Sequence, residues 1–421
     1  MRVASGSGER WRSGPHRTYS GGVHTPIWID DRAGLDELIA RLRDEPAYGL
    51  DTEFHRERTY FPHLALVQVS WTGGLAVVDP IAVDIAPLAS VLEGPGLMIC
   101  HAAEQDLEVL QLACGTRPSR LFDTQIAAAF IGLGFAALGR LVTSIVGATM
   151  TKGDRLTDWT RRPLDESQIA YAAADVEHLL LLHERLCERA RATGTLDWVE
   201  QECEQLRLRP LGASEPETAW WRIKGSRTLR GKSRGVAQEV AAWRERLAMA
   251  RDIPPRFILP DLALAGVVQR PPRTKDQMSS IRGLEPRHLR GGTADEIFAA
   301  VERGLALDAR DLRMPARGEP PIDDEAGPCV ALGLALVAHL AAQRQMEPSL
   351  LATRADVQAL AAGRTSGRLS SGWRAEIAGE ALRRLFSGEA ALTGDGRAGV
   401  RLLDLRGCRA EAAGGAHEDG C

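Results

Sequence analysis

Between residues 49 and 70 the chain reads GLDTEFHRERTYFPHLALVQVS, which sets Asp51 and Glu53 two residues apart at the end of an apolar stretch. On an extended strand residues i and i+2 share a face, so the two carboxylates project side by side, roughly 7 Å apart. Paired hard oxygen donors of this kind suit Mg²⁺ or Mn²⁺. Alone, a D-x-E triplet more often caps a turn or faces water. The chemistry needs partners elsewhere in the chain.

Two segments offer them. In HAAEQDLEVL a strand at 97–101 runs into a helix whose first turns carry Glu104 and Asp106. Leu107, Val109 and Leu110 mark the buried face and leave Asp106 next to it, whereas Glu104 suits an ordinary first-turn acid. Asp106 is the expected third carboxylate and Glu104 its rival. The second segment is a helix opened by PLDESQ, in which Asp165 and Gln168 have capping-box spacing, and it carries Tyr171-Ala-Ala-Ala-Asp175. Tyr171 and Asp175 are i and i+4 and share a face, with three alanines keeping the neighbouring surface slim.

Together Asp51, Glu53, Asp106 and Asp175 can hold two divalent ions about 4 Å apart, the arrangement used for in-line displacement at phosphorus. One ion would activate water and the other would stabilise the leaving 3′ oxygen. Tyr171, with an ordinary pKa of about 10, is a poor base at neutral pH. Its expected role is to hydrogen-bond and orient the attacking water.

The elements that must position these groups follow from periodicity. Strands are expected at 27–29, 49–51, 65–70, 75–79 and 97–101, the middle three forming an antiparallel meander. Helices are expected at 35–44, 103–113, 123–130, 136–146 and 165–193, giving a three-layer α/β unit with a mixed sheet. Composition shifts near Arg207, where Arg207, Arg209, Arg222, Lys224, Arg227, Arg230, Lys232 and Arg234 crowd a short span. This reads as a linker into a small all-α unit with helices at 236–251, 260–268, 276–280 and 295–304. A further polar break at 308–328 precedes helices at 329–345, 354–362 and 373–386. The expected domains are therefore a disordered extension (1–25), the α/β unit (26–208), a helical unit (209–310), a second helical unit (311–405) and a disordered tail (406–421).

At 421 residues the chain supports several domains, and its net charge of −4 advertises no global affinity for polyanions, so any nucleic-acid site must be local. The longest apolar run is too short to span a membrane. Seven cysteines with no C-x-x-C pair fit reduced thiols and a cytoplasmic location.

Four stretches, DTEFHRERTYFPHLALVQ (51–68), CHAAEQDLEVL (100–110), LFDTQ (121–125) and DWTRRPLDESQIAYAAADVEHLL (158–180), resemble in order the ribonuclease D family of the DEDD exonuclease superfamily, in its tyrosine-bearing subclass. The resemblance implies an RNase H-like mixed-sheet exonuclease domain and two-metal 3′→5′ exoribonuclease activity releasing nucleoside 5′-monophosphates. The implied substrates are the 3′ ends of transfer-RNA precursors and other small structured RNAs. It also implies Asp51, Glu53, Asp106 and Asp175 as ligands of two divalent metal ions (Mg²⁺ or Mn²⁺) and Tyr171 as the water-orienting group. The unit at 217–305 resembles a helicase-and-RNase-D C-terminal (HRDC) domain, and 329–405 is read as a diverged second copy. No membrane association and a monomeric state are expected.

Around the site, Phe54 is a candidate for stacking on the terminal base, with a core role the alternative. His55, Arg56 and Arg58 are candidates for phosphate contact, Gln68 for reaching substrate, and Arg222 to Arg234 for steering RNA. His101 reads as a core or supporting histidine, Asp123 as a helix N-cap, and Trp159, Arg162 and Pro163 as fixing the start of the Tyr171 helix. Two rival functions stand beside the exoribonuclease: a DNA-directed exonuclease of the same superfamily, and a catalytically silent RNA-binding scaffold.

Overall fold

The computed structural model describes residues 25–150, 158–212, 215–289, 292–313, 327–397 and 399–405. The expected disordered extension (1–25, but for residue 25) and tail (406–421) lie outside them.

Six strands, β1 (Ile27–Ile29), β2 (Ala47–His55), β3 (His63–Trp71), β4 (Gly74–Val78), β5 (Leu97–Cys100) and β6 (Leu121–Asp123), form one sheet in the order β1-β4-β3-β2-β5-β6. β2, β3 and β4 are the expected antiparallel meander, while β1, β5 and β6 run parallel to their neighbours. β6 escaped the periodicity because three residues carry too little pattern. In β3 both faces are buried: Val67 and Val69 join the core under the Arg32–Arg43 helix, and Leu66 joins another under Ala172 and Ala173. The Arg32–Arg43 helix buries Leu35, Leu38, Ile39 and Leu42, the spacing of one apolar stripe, and Asp31 caps it by accepting from Gly34 N–H at 2.8 Å.

The single helix expected at 165–193 is two helices, Glu166–Glu177 and Leu179–Ala192, parted at His178. The Ser70 hydroxyl of β3 donates to the Val176 carbonyl at 2.8 Å, taking an acceptor from the last turn. Leu179 then packs on Gly49, where a Cβ would meet its side chain at 3.1 Å. The helix expected at 136–146 starts at Leu138 and widens into a π turn over Val142–Val146. The Leu196–Leu208 helix was not legible in a charge-rich sequence, yet it buries Val199, Cys203 and Leu206.

The first helical unit has its own core, built from the Lys232–Arg251, Asp261–Gln269 and Thr293–Ala306 helices. Trp220, from the turn Pro216–Arg222, is fully buried in it, so this part of the expected linker is structure. The cations there are largely committed: Arg222 donates to Glu245 at 2.6 Å, Arg234 to the Leu229 carbonyl at 2.9 Å, and Arg230 to the Arg227 carbonyl at 3.0 Å. Of these three bonds only the one to Glu245 offsets charge; the carbonyl bonds orient Arg230 and Arg234, which stay cationic.

The third unit is helical through Phe386, as expected, and then adds a two-stranded hairpin, β7 (Ala390–Gly394) with β8 (Val400–Asp404). Its core is not separate. Leu336, Val337, Trp373 and Leu382 belong to one apolar cluster with Leu97, Phe122, Phe130 and Leu182 of the sheet domain. Among the described residues no helix is long and apolar enough to cross a membrane.

Candidate active site

Asp51 and Glu53 stand on the C-terminal part of β2, opposite Gln68 and Leu66 of β3. The register slips between Glu53 and Phe54, leaving Ala65 as the extra residue of a bulge. Arg162 ties this point down. It donates to the Ala65 carbonyl at 2.9 Å and grips Asp79, at the end of β4, through two bonds of 2.6 and 2.7 Å. Burial alone would raise the Asp79 carboxyl, but Arg162 together with the Ile81 and Ala82 N–H groups outweighs it and holds the group below its ordinary range. Arg162 thus anchors the segment that leads into the Glu166–Glu177 helix, as the sequence suggested. Asp165 and Gln168 form the expected capping box at its start.

That helix brings Asp175 onto the face of β2 that carries Asp51 and Glu53. One carboxylate oxygen from each of the three lies within 4.8 Å of the others. Ala172 and Ala173 pack against Leu66, Leu75 and Val77, which lets the helix approach the sheet closely. Tyr171, one turn from Asp175, is half-buried and lies parallel to Trp159, ring centroids 6.1 Å apart.

Asp106 arrives from the other side of the sheet. Thr52, facing away from its two acidic neighbours, donates to Asp106 Oδ1 at 2.5 Å. The carboxylate therefore lies outside the tight trio, though among the neighbouring charges it acts most strongly on Asp51. Its helix, Glu104–Cys114, is fixed at its start by Asp123, which accepts from Ala102 and Ala103 N–H at 3.2 and 2.9 Å. Ala102 is held at φ 59°, a left-handed conformation a residue with a Cβ seldom adopts. Asp123 also caps the next helix through Gln125 N–H, the role expected of it. The rival Glu104 is exposed and paired with Arg209 at 2.5 Å.

The electrostatics of the group are those of unneutralised acids. Burial, followed by Asp106, Asp175 and Glu53, raises the Asp51 carboxyl well above its ordinary value. Burial and then Asp175 and Asp106 lift Glu53 to about 7. Burial lifts Asp175 to about 6, and it lifts Asp106 to about 6 against the opposing Thr52 bond. Clustered carboxylate oxygens, with no thiolate or imidazole among them, fit a hard divalent cation.

The other candidates divide. Phe54 is half-buried and belongs to none of the apolar clusters of the described residues, which disfavours the core role. Arg58 is exposed. Arg56, a candidate for phosphate, is instead held by both oxygens of Glu108 at 2.8 and 3.0 Å. Gln68 corrects the sequence reading more sharply: it is 0 % exposed, roofed by the Glu166–Glu177 helix, and cannot reach a substrate. Neither its amide nitrogen nor its oxygen has a partner. His101 is a supporting residue, its Nδ1 2.9 Å from the Thr124 hydroxyl, and burial lowers its pKa. Sequence reasoning missed Thr52 and Glu108. Strand alternation was the available signal for Thr52, since it must face away from the Asp51 side.

A family model described as 3′-5′ exonuclease matches residues 26–190, and an HRDC domain model matches residues 233–301. A ribonuclease D of Gluconacetobacter diazotrophicus is 37% identical over 386 residues, covering 90% of this chain and 98% of that protein. One of Acidiphilium cryptum is 36% identical over 392 residues, covering 90% and 97%. The crystal structure of Escherichia coli RNase D, described as an exoribonuclease involved in structured RNA processing, superposes with a TM-score of 0.78 at 31% identity. It covers 86% of this chain and 99% of that one. The catalytic core of RRP6 from Trypanosoma brucei shares the fold, with a TM-score of 0.55 at 22% identity over 68% of this chain and 80% of that one.

Proposed function

From the premise that the chain belongs to the ribonuclease D family and is a 3′–5′ exoribonuclease, we propose how its residues divide the reaction and which RNAs it trims. Asp51, Glu53 and Asp175, with Asp106 completing the set, would hold two divalent ions, Mg²⁺ or Mn²⁺. Bound there, the ions supply Lewis acidity that makes water a nucleophile and positive charge that offsets the departing 3′ oxygen. The observation that carries this reading is the convergence of three carboxylates from a strand and a helix within 4.8 Å.

The remaining work belongs to the chain. Tyr171 hydrogen-bonds the attacking water and orients it toward the terminal phosphorus, its ring kept in place by Trp159. Water adds to phosphorus, the bond from phosphorus to the 3′ oxygen breaks, that oxygen gains a proton, and a nucleoside 5′-monophosphate leaves. Phe54, just beyond the bulge, offers a ring for the terminal base, an interaction worth about 1–3 kcal/mol. Arg58 meets the phosphate backbone and makes binding salt-dependent. The HRDC domain extends the surface for folded RNA, and transfer-RNA precursors and other small structured RNAs are the substrates. The reducing cytoplasm suits the free, buried thiols of Cys100, Cys114, Cys187 and Cys203.

The test is Asp51→Asn in the purified full chain with Mg²⁺ or Mn²⁺. RNA binding is retained and hydrolysis lost; persistent trimming rejects the metal-site assignment. Matched RNA and DNA oligonucleotides check the sugar preference, and faster hydrolysis of DNA rejects the substrate class.

A further inference from the structure

The loop between β2 and β3, residues 56–62, leaves the strand that carries Asp51 and Glu53 and is gripped by the HRDC domain. Tyr60 and Phe61 both donate their backbone N–H to Asp252 Oδ1 at 3.0 Å. His63 Nε2 lies 2.7 Å from Asp252 Oδ2. The Tyr60 hydroxyl donates to Glu245 at 2.6 Å, and its ring packs on the core of the helical domain. Arg256 donates to the Glu57 carbonyl at 2.8 Å.

Asp252 violates two local rules at once. It ends the 20-residue helix Lys232–Arg251 with φ 48° and ψ 48°, the left-handed region that favours glycine. It also places a negative charge at the helix end where the macrodipole is already negative. Glycine would satisfy the helix on both counts. What glycine lacks is the carboxylate that receives the loop. Strain that persists against local preference is a pointer to function, and here the compensating bonds all run to the other domain.

We propose that Asp252 is a positioning residue for the exonuclease reaction, holding the 56–62 loop so that Arg58 meets the RNA backbone. The proposal rests on the assignment of Arg58 to phosphate. Arg58 is exposed on this loop, whereas its neighbour Arg56 is committed to Glu108. A loop that occupies its competent arrangement only part of the time weakens binding by that fraction and leaves the chemical step untouched. The clamp therefore acts on KM.

The experiment uses the full chain, a short single-stranded RNA and four variants. Asp252→Gly suits the helix end and so keeps its fold by circular dichroism, while KM rises about tenfold and kcat stays within about twofold. Asp252→Asn keeps an oxygen for the two N–H donors and returns KM close to the parent value. Arg58→Ala also raises KM, and the double variant Asp252→Gly with Arg58→Ala is no worse than the more impaired single one. A parental KM in Asp252→Gly, equal impairment of the Gly and Asn variants, or KM increases that multiply in the double variant each overturn the role of Asp252. A parental KM in Arg58→Ala removes the phosphate contact itself, and the proposal falls with it.

Discussion

The acidic pocket and the Arg374–Glu202 contact both take charge out of bulk water, and they do so in opposite ways. Where the third unit meets the sheet domain, Arg374 is 3% exposed and bonds to both oxygens of Glu202, one of them at 2.5 Å. Its Nε donates to the Leu350 carbonyl at 2.8 Å, and the Trp373 ring lies 4.3 Å from the guanidinium carbon. Every demand of that charge is met inside the chain. In the pocket, Asp51, Glu53 and Asp175 are packed together with one another's repulsion. A finished interaction docks one part of the molecule on another, and an unfinished one is complementary to something brought in.

The strongest way to break this contrast is to remove charge from each side in turn. Asp51→Asn lowers kcat about 10³-fold or more, yet it raises the melting temperature of the metal-free protein because one repelling charge is gone. Arg374→Met strands the Glu202 carboxylate and lowers stability by about 3–5 kcal/mol in denaturant titration, with kcat of the folded fraction unchanged. A destabilised Asp51→Asn, or a neutral Arg374→Met, erases the distinction.

Tyr171→Phe sharpens it further, since the role proposed for the hydroxyl is on water rather than on charge. The variant loses about 10²-fold in kcat while RNA affinity stays within about twofold, measured by single-turnover kinetics beside equilibrium binding. Equal losses in both quantities reject the role.

The smallest effect is on pH dependence. Glu53 near 7, and Asp106 and Asp175 near 6, bind protons more tightly in the folded, metal-free chain than in the unfolded one. Their contribution to stability is complete below the unfolded carboxyl range and is lost as pH rises through about 6 to 7. Added Mg²⁺ or Mn²⁺ therefore raises the melting temperature more at pH 8 than at pH 5, and a gain independent of pH contradicts the sign.

The parts legible in the sequence were those fixed by local geometry. The i, i+2 spacing of Asp51 and Glu53 and the i, i+4 spacing of Tyr171 and Asp175 each determine a shared face before any tertiary contact forms. The meander and the capping box were readable for the same reason. What the sequence hid depends on distant residues. Gln68 was correctly placed beside the Asp51 strand, but only the Glu166–Glu177 helix lying over it shows that it is sealed from substrate. Arg56 is neutralised by Glu108, 52 residues away. The break at His178 needs the Ser70 hydroxyl, 106 residues from its acceptor. The shared core of the third unit joins segments that no local pattern connects.

Ala172 and Ala173, pressed against Leu66, Leu75 and Val77, act as a gauge. The thickness of two methyl groups sets how far above the sheet the Tyr171 hydroxyl and the Asp175 carboxylate ride. A displacement of about 1 Å at such a site costs about 10²-fold in rate. A shim of one or two carbons in this apolar layer would thus present itself to an enzymologist as a fault in the chemistry, in a protein whose proposed metal ligands are all intact.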